Sequence, residues 1–272
     1  MRRRLHLKVF LATALIAGML AHRPVSAACS RVIQVPVSAV GQSVTIDGNV
    51  VAGIYPDMLR ELKDECEFAF MAVPRARLEK MFENGSADLL VPASRTPRRD
   101  DIGIFIPTVA IRATMISIAS ARPAVKSVQE LLERHDIKVA VVRGYDYGTT
   151  YQDLIKELGK RGRLTMEADP VSIARVLKAG VADVTIMAPT VLVGAIKENK
   201  KISDMLDKLR FEPINEIPWG QSGIYISKSS LSAEDSATLK DLLERAAKSG
   251  SVWKAFQLYY SPAVLKESAR PR

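Results

Sequence analysis

Apolar positions recur along the chain in short blocks, and the spacing inside each block predicts an element. Arg31–Val37 is a near-continuous apolar run of strand length. Pro56–Lys63 puts Leu59 and Leu62 on one helical face, with Pro56 in the first turn. Glu67–Val73 predicts a second strand, and Arg75–Asn84 a helix stopped by Gly85. Ala87–Val91 predicts a third strand, ended by Pro92. Strand, helix, strand, helix, strand reads as a parallel sheet covered by helices. A second alternation follows. It contains a helix over Val128–Arg134, a strand over Ile137–Val142, a turn bracketed by Gly144 and Gly148, and a helix over Tyr151–Leu158. Val171–Ala179 is a helix ended by Gly180, Val181–Met187 a strand, and Pro189 opens another helix. Near the end, Gly223–Ser227 predicts a strand, and Leu239–Ala247 and Val252–Tyr259 two helices broken at Gly250.

Two segments interrupt this rhythm. Phe105–Ser120 is rich in β-branched residues and holds one proline, so it reads as an extended crossover. Pro213–Gly220 carries two prolines and Trp219. Two crossovers imply that the chain leaves one lobe, builds a second and returns. The expected division is 28–111 with 219–272 for lobe one, and 112–218 for lobe two. The expected class is α/β, with each lobe a mostly parallel sheet flanked by helices and two strands joining the lobes.

The N-terminus changes the charge argument. Met1–Lys8 is basic, Val9–Leu20 is apolar but short for a bilayer span, and Val25-Ser26-Ala27 offers small residues to a signal peptidase. Residues 1–27 therefore read as a secretory leader, cut after Ala27 or Ala28. Five of the 39 basic residues lie in it and none of the 30 acids, which leaves 34 against 30 and a net +4. About 245 residues remain, enough for two domains. Charges so mild and interspersed do not support nucleic-acid binding.

Two of the three histidines, His6 and His22, leave with the leader. His135 alone supports neither a Ser-His-Asp hydrolase nor a histidine zinc site, and no calcium-loop spacing is present, so no cofactor or metal is expected. Cys29 and Cys66 are the only cysteines. An even count in an exported chain suggests a disulfide. Two free thiols are the alternative, but each cysteine stands just before a predicted strand, where neighbouring parallel strands would bring them together.

The chemistry concentrates where a predicted core strand runs into cations, in Ala87–Asp101, whose sequence is ADLLVPASRTPRRDD. A guanidinium can make two parallel hydrogen bonds to a carboxylate. Ser94 and Thr96 add hydroxyl donors. Several motifs occur in a telling order: Gly53-Ile54-Tyr55-Pro56-Asp57, Gly85-Ser86-Ala87-Asp88, Thr96-Pro97-Arg98-Arg99, Val139–Gly144, Gly180-Val181-Ala182-Asp183, Ile226-Ser227-Lys228 and Tyr259-Tyr260. This order resembles the periplasmic solute-binding proteins that serve polar amino-acid ABC transporters, the extracellular solute-binding protein family 3 with its class-II periplasmic binding fold. The likeness covers nearly all of the chain after the leader.

The resemblance implies a solute trapped in a cleft between two hinged lobes. It implies that Arg99, at the arginine of Thr-x-x-Arg, grips the solute carboxylate. The alternative is that all three arginines are solvated, with Arg99 paired to Asp100 or Asp101, and for Arg95 and Arg98 solvation is the expectation. The resemblance places Arg75 where relatives carry an aromatic that stacks on the ligand. There Arg75 either meets a second anionic group or is a surface arginine of a first helical turn; Arg77 reads as surface. Gly144 matches the glycine that opens the second lobe. Relatives place an acid after the Gly-x-x-Asp strand to hold an ammonium, but this chain has Met187-Ala188-Pro189-Thr190. Thr190 remains a candidate contact. Asp146 either supplies the missing charge or bonds its own turn backbone. Tyr145 or Tyr147 could cover the ligand, and Tyr55 and Trp219 are candidate cleft walls. Asp57 and Asp183 read as turn braces.

The function implied is periplasmic capture of a small anionic or zwitterionic solute, an amino acid or related organic acid, by a monomer that passes it to an inner-membrane ABC permease. Two other readings stand beside it. One is a cyclohexadienyl dehydratase-like enzyme, which needs a cleft acid as proton donor; none is assigned, so no catalytic residue is named. The other is an orphan sensory receptor.

Overall fold

A computed structural model describes residues 29–272; the expected leader and both cleavage sites lie outside the described residues. The described chain opens with β1 (Ile33–Val37), β2 (Thr45–Asp47), β3 (Val50–Ala52), α1 (Ile54–Arg60), β4 (Phe68–Ala72) and α2 (Arg75–Glu83). It continues through β5 (Leu89–Ser94), α3 (Pro97–Ile102) and β6 (Gly103–Ile111). Next come β7 (Thr114–Ile118), α4 (Val128–Glu133), β8 (Val139–Val142), α5 (Thr149–Lys160), β9 (Leu164–Glu167), α6 (Pro170–Lys178), β10 (Val184–Met187), α7 (Pro189–Lys197) and β11 (Leu209–Glu212). The chain then returns through β12 (Gly220–Ser227), α8 (Ala233–Lys248), α9 (Ser251–Tyr259), α10 (Pro262–Ser268) and β13 (Ala269–Pro271).

Two groups of sheets result. In the first, β1 pairs in parallel with β4. β5 lies beside β1, where the Asp88 N–H donates to the Gln34 carbonyl. β12 runs antiparallel to β5 and β6, and β13 closes the edge against β6. The second group is one five-stranded sheet in the order β11-β7-β10-β8-β9. Its β8, β9 and β10 are parallel, and β7 runs antiparallel to both of its neighbours, β10 and β11. Helices cover both groups, giving the expected two-lobe α/β architecture.

One device recurs in both lobes. Gly85 and Gly180 take positive φ, +74° and +68°, and stop α2 and α6. Three residues on, Asp88 accepts from the Gln34 N–H and Asp183 from the Lys138 N–H, each at 2.7 Å. The Gly-x-x-Asp sequence thus ends a helix and braces the next strand. Asp57 accepts from the Gly53 N–H at 3.3 Å, another turn brace.

Three features depart from the sequence reading. Phe105–Ser120 is not one crossover. It contains most of β6 and all of β7, and only Arg112 and Ala113 lie between them. Its β-branched residues fill two sheets, so the connection is short. Pro92 does not end β5. Val91 and Pro92 of β5 stand opposite Ile224 alone on β12, a bulge in β5 that accommodates the missing N–H, and pairing resumes at Ala93 and Ser94. Thr96–Asp101 contains a short helix, α3, whose N-cap is Thr96, accepting from the Arg99 N–H at 3.4 Å.

The expected disulfide joins Cys29 to Cys66, ahead of the parallel pair β1 and β4. Apolar packing also crosses between the lobes. Val193 of α7 belongs to the first lobe's core cluster, and Val40 of the first lobe to a cluster of the second. Gly194 permits this approach: a Cβ there would stand 2.7 Å from Gly41 Cα and 2.8 Å from the Tyr260 hydroxyl oxygen.

Candidate functional site

A cavity of about 50 Å³ lies between the two sheet groups. At roughly 10–15 Å³ per water, it has room for about four waters or a small organic acid. Tyr55, Arg75 and Ser94 border it from the first lobe, and Tyr145, Asp146 and Thr190 from the second. Tyr147 borders it too, so seven of the candidate contacts named from the sequence converge, and Ala188 stands with them.

Arg99 and Thr96 stand beside the cavity and do not line it. Arg99 is only 1% exposed. Its Nη2 and Nε donate to Glu79 Oε1 and Oε2 at 2.8 and 3.3 Å, and its Nη1 donates to the Ser94 carbonyl at 2.8 Å. Every nitrogen of the guanidinium has a protein partner. Arg75 is different. It is 5% exposed, at the start of α2, one turn before Glu79. Its Nη2 lies 2.7 Å from Glu79 Oε1, and its Nη1 donates to the Pro92 carbonyl at 3.0 Å. Its Nε has no partner. The guanidinium also stands 5.9 Å from the Tyr145 ring centre.

Glu79 therefore holds two buried arginines. Burial pushes its carboxyl up, but the charges and hydrogen bonds of Arg75 and Arg99 outweigh this and hold it below the usual carboxylate range. Burial pulls Arg99 down from its ordinary value, against the opposing charge of Glu79. Asp146 borders the same cavity and its charge also acts on Arg99, so the buried charges there, Arg75 and Arg99 against Glu79 and Asp146, balance. Glu79 was missed in the sequence, although the four-residue spacing from Arg75 on a predicted helix was a readable signal.

The remaining candidates have definite places. Tyr55 is buried and shares a 2.6 Å hydrogen bond with Thr108 Oγ1, and burial raises its hydroxyl to about 12. The Thr190 N–H donates to Ser268 Oγ at 2.9 Å, and its hydroxyl shares a 2.8 Å hydrogen bond with the same oxygen. Asp146 does two things: it accepts from the Gly148 N–H at 2.9 Å, and it borders the cavity. Arg98 Nη2 stands 3.7 Å from Asp146 Oδ2, an ion pair that crosses between the lobes. Gly144 lies against α2, where an added Cβ would be 3.0 Å from Ala76 Cα. Arg95 is half-exposed and pairs with Asp100. Trp219 lies outside the cavity, with Arg112 and Arg270 over its ring.

No family model matches the sequence, and no curated protein matches it significantly. Solved structures do. A histidine kinase sensor domain with similarity to periplasmic binding proteins aligns at TM-score 0.67 and 18% identity, over 85% of this chain and 96% of that one. The amino acid ABC transporter substrate-binding protein AbpA from Streptococcus pneumoniae, bound to L-arginine, aligns at TM-score 0.65 and 17% identity, over 87% and 95%. The ancestral amino acid-binding protein AncCDT-1, a precursor of cyclohexadienyl dehydratase, aligns at 0.64 and 16%, over 85% and 95%. These likenesses establish the two-lobe periplasmic-binding-protein fold.

Proposed function

We propose that the chain is an exported solute-binding protein that captures a small carboxylate-bearing solute between lobes 28–111 with 219–272 and 112–218. One observation carries this reading. The buried guanidinium of Arg75 borders the interlobe cavity with one nitrogen, Nε, unpartnered. A carboxylate there completes the hydrogen bonding of Arg75. Arg99 serves the site indirectly: it positions Glu79, which orients Arg75. Tyr145 and Asp146 close the opposite wall, so solute binding and lobe closure are coupled. Delivery to an inner-membrane ABC permease from the periplasm follows from the same reading, supported by the leader and by the transporter-associated neighbour AbpA.

The test is native mass spectrometry of the periplasmically purified protein, followed by a thermal-shift screen of amino acids and small carboxylates. A retained or stabilising carboxylate supports the proposal. Turnover of prephenate or arogenate, or indifference to every carboxylate, refutes it.

A further inference from the structure

The polar walls of the interlobe cavity are pinned by the protein's own bonds. Arg75 is held by Glu79 and by the Pro92 carbonyl, and Tyr55 by Thr108. On the second lobe, Thr190 is held by Ser268, and the Tyr147 hydroxyl accepts from the Ala188 N–H at 3.2 Å. Moving any of these four side chains aside for a larger solute breaks a bond that is already made.

Another part of the wall is apolar and lies at the seam between the lobes. Val40 of the first lobe and Val191 of α7 both border the cavity, and they pack in one cluster, 8% and 7% exposed. The seam beside them has no slack. A Cβ on Gly41, the residue after Val40, would stand 2.8 Å from the Thr190 carbonyl oxygen and 3.0 Å from that of Val191. A Cβ on Gly194, three residues after Val191, would stand 2.7 Å from the Gln42 nitrogen. Backbone meets backbone beside both valines, so the cavity cannot lengthen here without parting the lobes.

A fixed wall turns volume into a length limit. At roughly 10–15 Å³ per water, about 50 Å³ holds about three to five waters. Bonded atoms lie closer together than neighbouring waters, so the same space takes about four to six non-hydrogen atoms. A carboxylate group uses half of these or more. What remains is one carbon or two, with at most one hydroxyl or amino group. The L-arginine bound to AbpA is far larger.

We propose that the solute is a two- or three-carbon acid carrying at most one small polar substituent, and that Val40 and Val191 set this length limit. The inference rests on the solute-binding reading above and narrows its ligand class.

Isothermal titration of the periplasmically purified protein tests it with three unbranched series of two to five carbons: the plain acids, the 2-hydroxy acids and the 2-amino acids, with L-arginine beside them. In the series that binds, the two- or three-carbon member is expected to bind at least about tenfold more tightly than the four-carbon member, the usual cost of one methylene too many in a tight pocket. L-arginine is expected not to bind. Val40→Ala and Val191→Ala each remove two methyl groups from the wall. Each variant, shown to be folded by circular dichroism, should narrow that gap to about threefold or less. A four-carbon acid or L-arginine that binds the natural protein as tightly as the shorter acids overturns the inference. So does a length limit that neither variant moves. In both cases the solute-binding reading survives. Failure of every acid to bind removes both.

Discussion

Glu79→Gln isolates the electrostatic logic of the site. The substitution keeps the side-chain shape and removes the one negative charge shared by Arg75 and Arg99, which lie 2.7 and 2.8 Å from Oε1. All three side chains are at most 8% exposed, so water cannot take over the role of the carboxylate. Removing one partner of a buried ion network costs about 3–5 kcal/mol, and a retained neutral acceptor puts this variant near 3 kcal/mol. For a chain of this size that lowers the melting temperature by about 6–12 °C. The pH dependence has a definite sign. The Glu79 carboxyl is held low by Arg75 and Arg99 against the upward push of burial. A folded pKa below the unfolded value of about 4.3 gives stability that is present above that pH and is lost as pH falls through the folded value. The natural protein should therefore lose stability below about pH 4 more steeply than Glu79→Gln does. A carboxylate solute restores negative charge at Arg75, so it should raise the melting temperature of the variant more than that of the natural protein. Urea unfolding across pH and differential scanning calorimetry read both effects. A cost under about 1 kcal/mol, or an unchanged acid limb, would refute the claim that Glu79 organises the site.

Other consequences follow from the interlobe contacts and the disulfide. Gly194→Ala puts a Cβ 2.7 Å from the backbone at Gly41 and Gln42, and overpacking of this kind costs about 1–3 kcal/mol. It should weaken solute binding about tenfold or more and enlarge the radius of gyration of the liganded protein in small-angle scattering; an unchanged affinity would mean the lobes do not close through this contact. Reducing Cys29–Cys66 releases a loop of 37 residues' separation, which in the chain-entropy model costs roughly 4 kcal/mol. Calorimetry with and without reductant should show that loss, and a shift equivalent to under about 1 kcal/mol would contradict it.

Much of the scaffold was legible because local signals and tertiary packing agree. Gly85, Gly180 and Gly250 end or separate helices where the spacing placed breaks, and Pro189 opens α7 at its first residue. The short elements were not legible. β2 and β3 have three residues each, and β9 is four residues of which none is fully buried, so no period can develop. β6 and β7 were read as one segment because both are rich in β-branched residues and only two residues separate them. In the site, residue type identified the cations, but their division of labour was hidden. Arg99 and Glu79 are 20 residues apart, and only the packing of α2 against the strand before α3 makes them a pair.

The most direct test of the account is calorimetric titration of a bound carboxylate into the natural protein and Arg75→Ala, with circular dichroism establishing that the variant is folded. A charge-assisted hydrogen bond contributes about 1.5–3 kcal/mol, so losing the one that Arg75 Nε makes to the carboxylate predicts a loss of about tenfold to a hundredfold. Affinity retained within about threefold in folded Arg75→Ala would contradict the assignment and move the anion to another group.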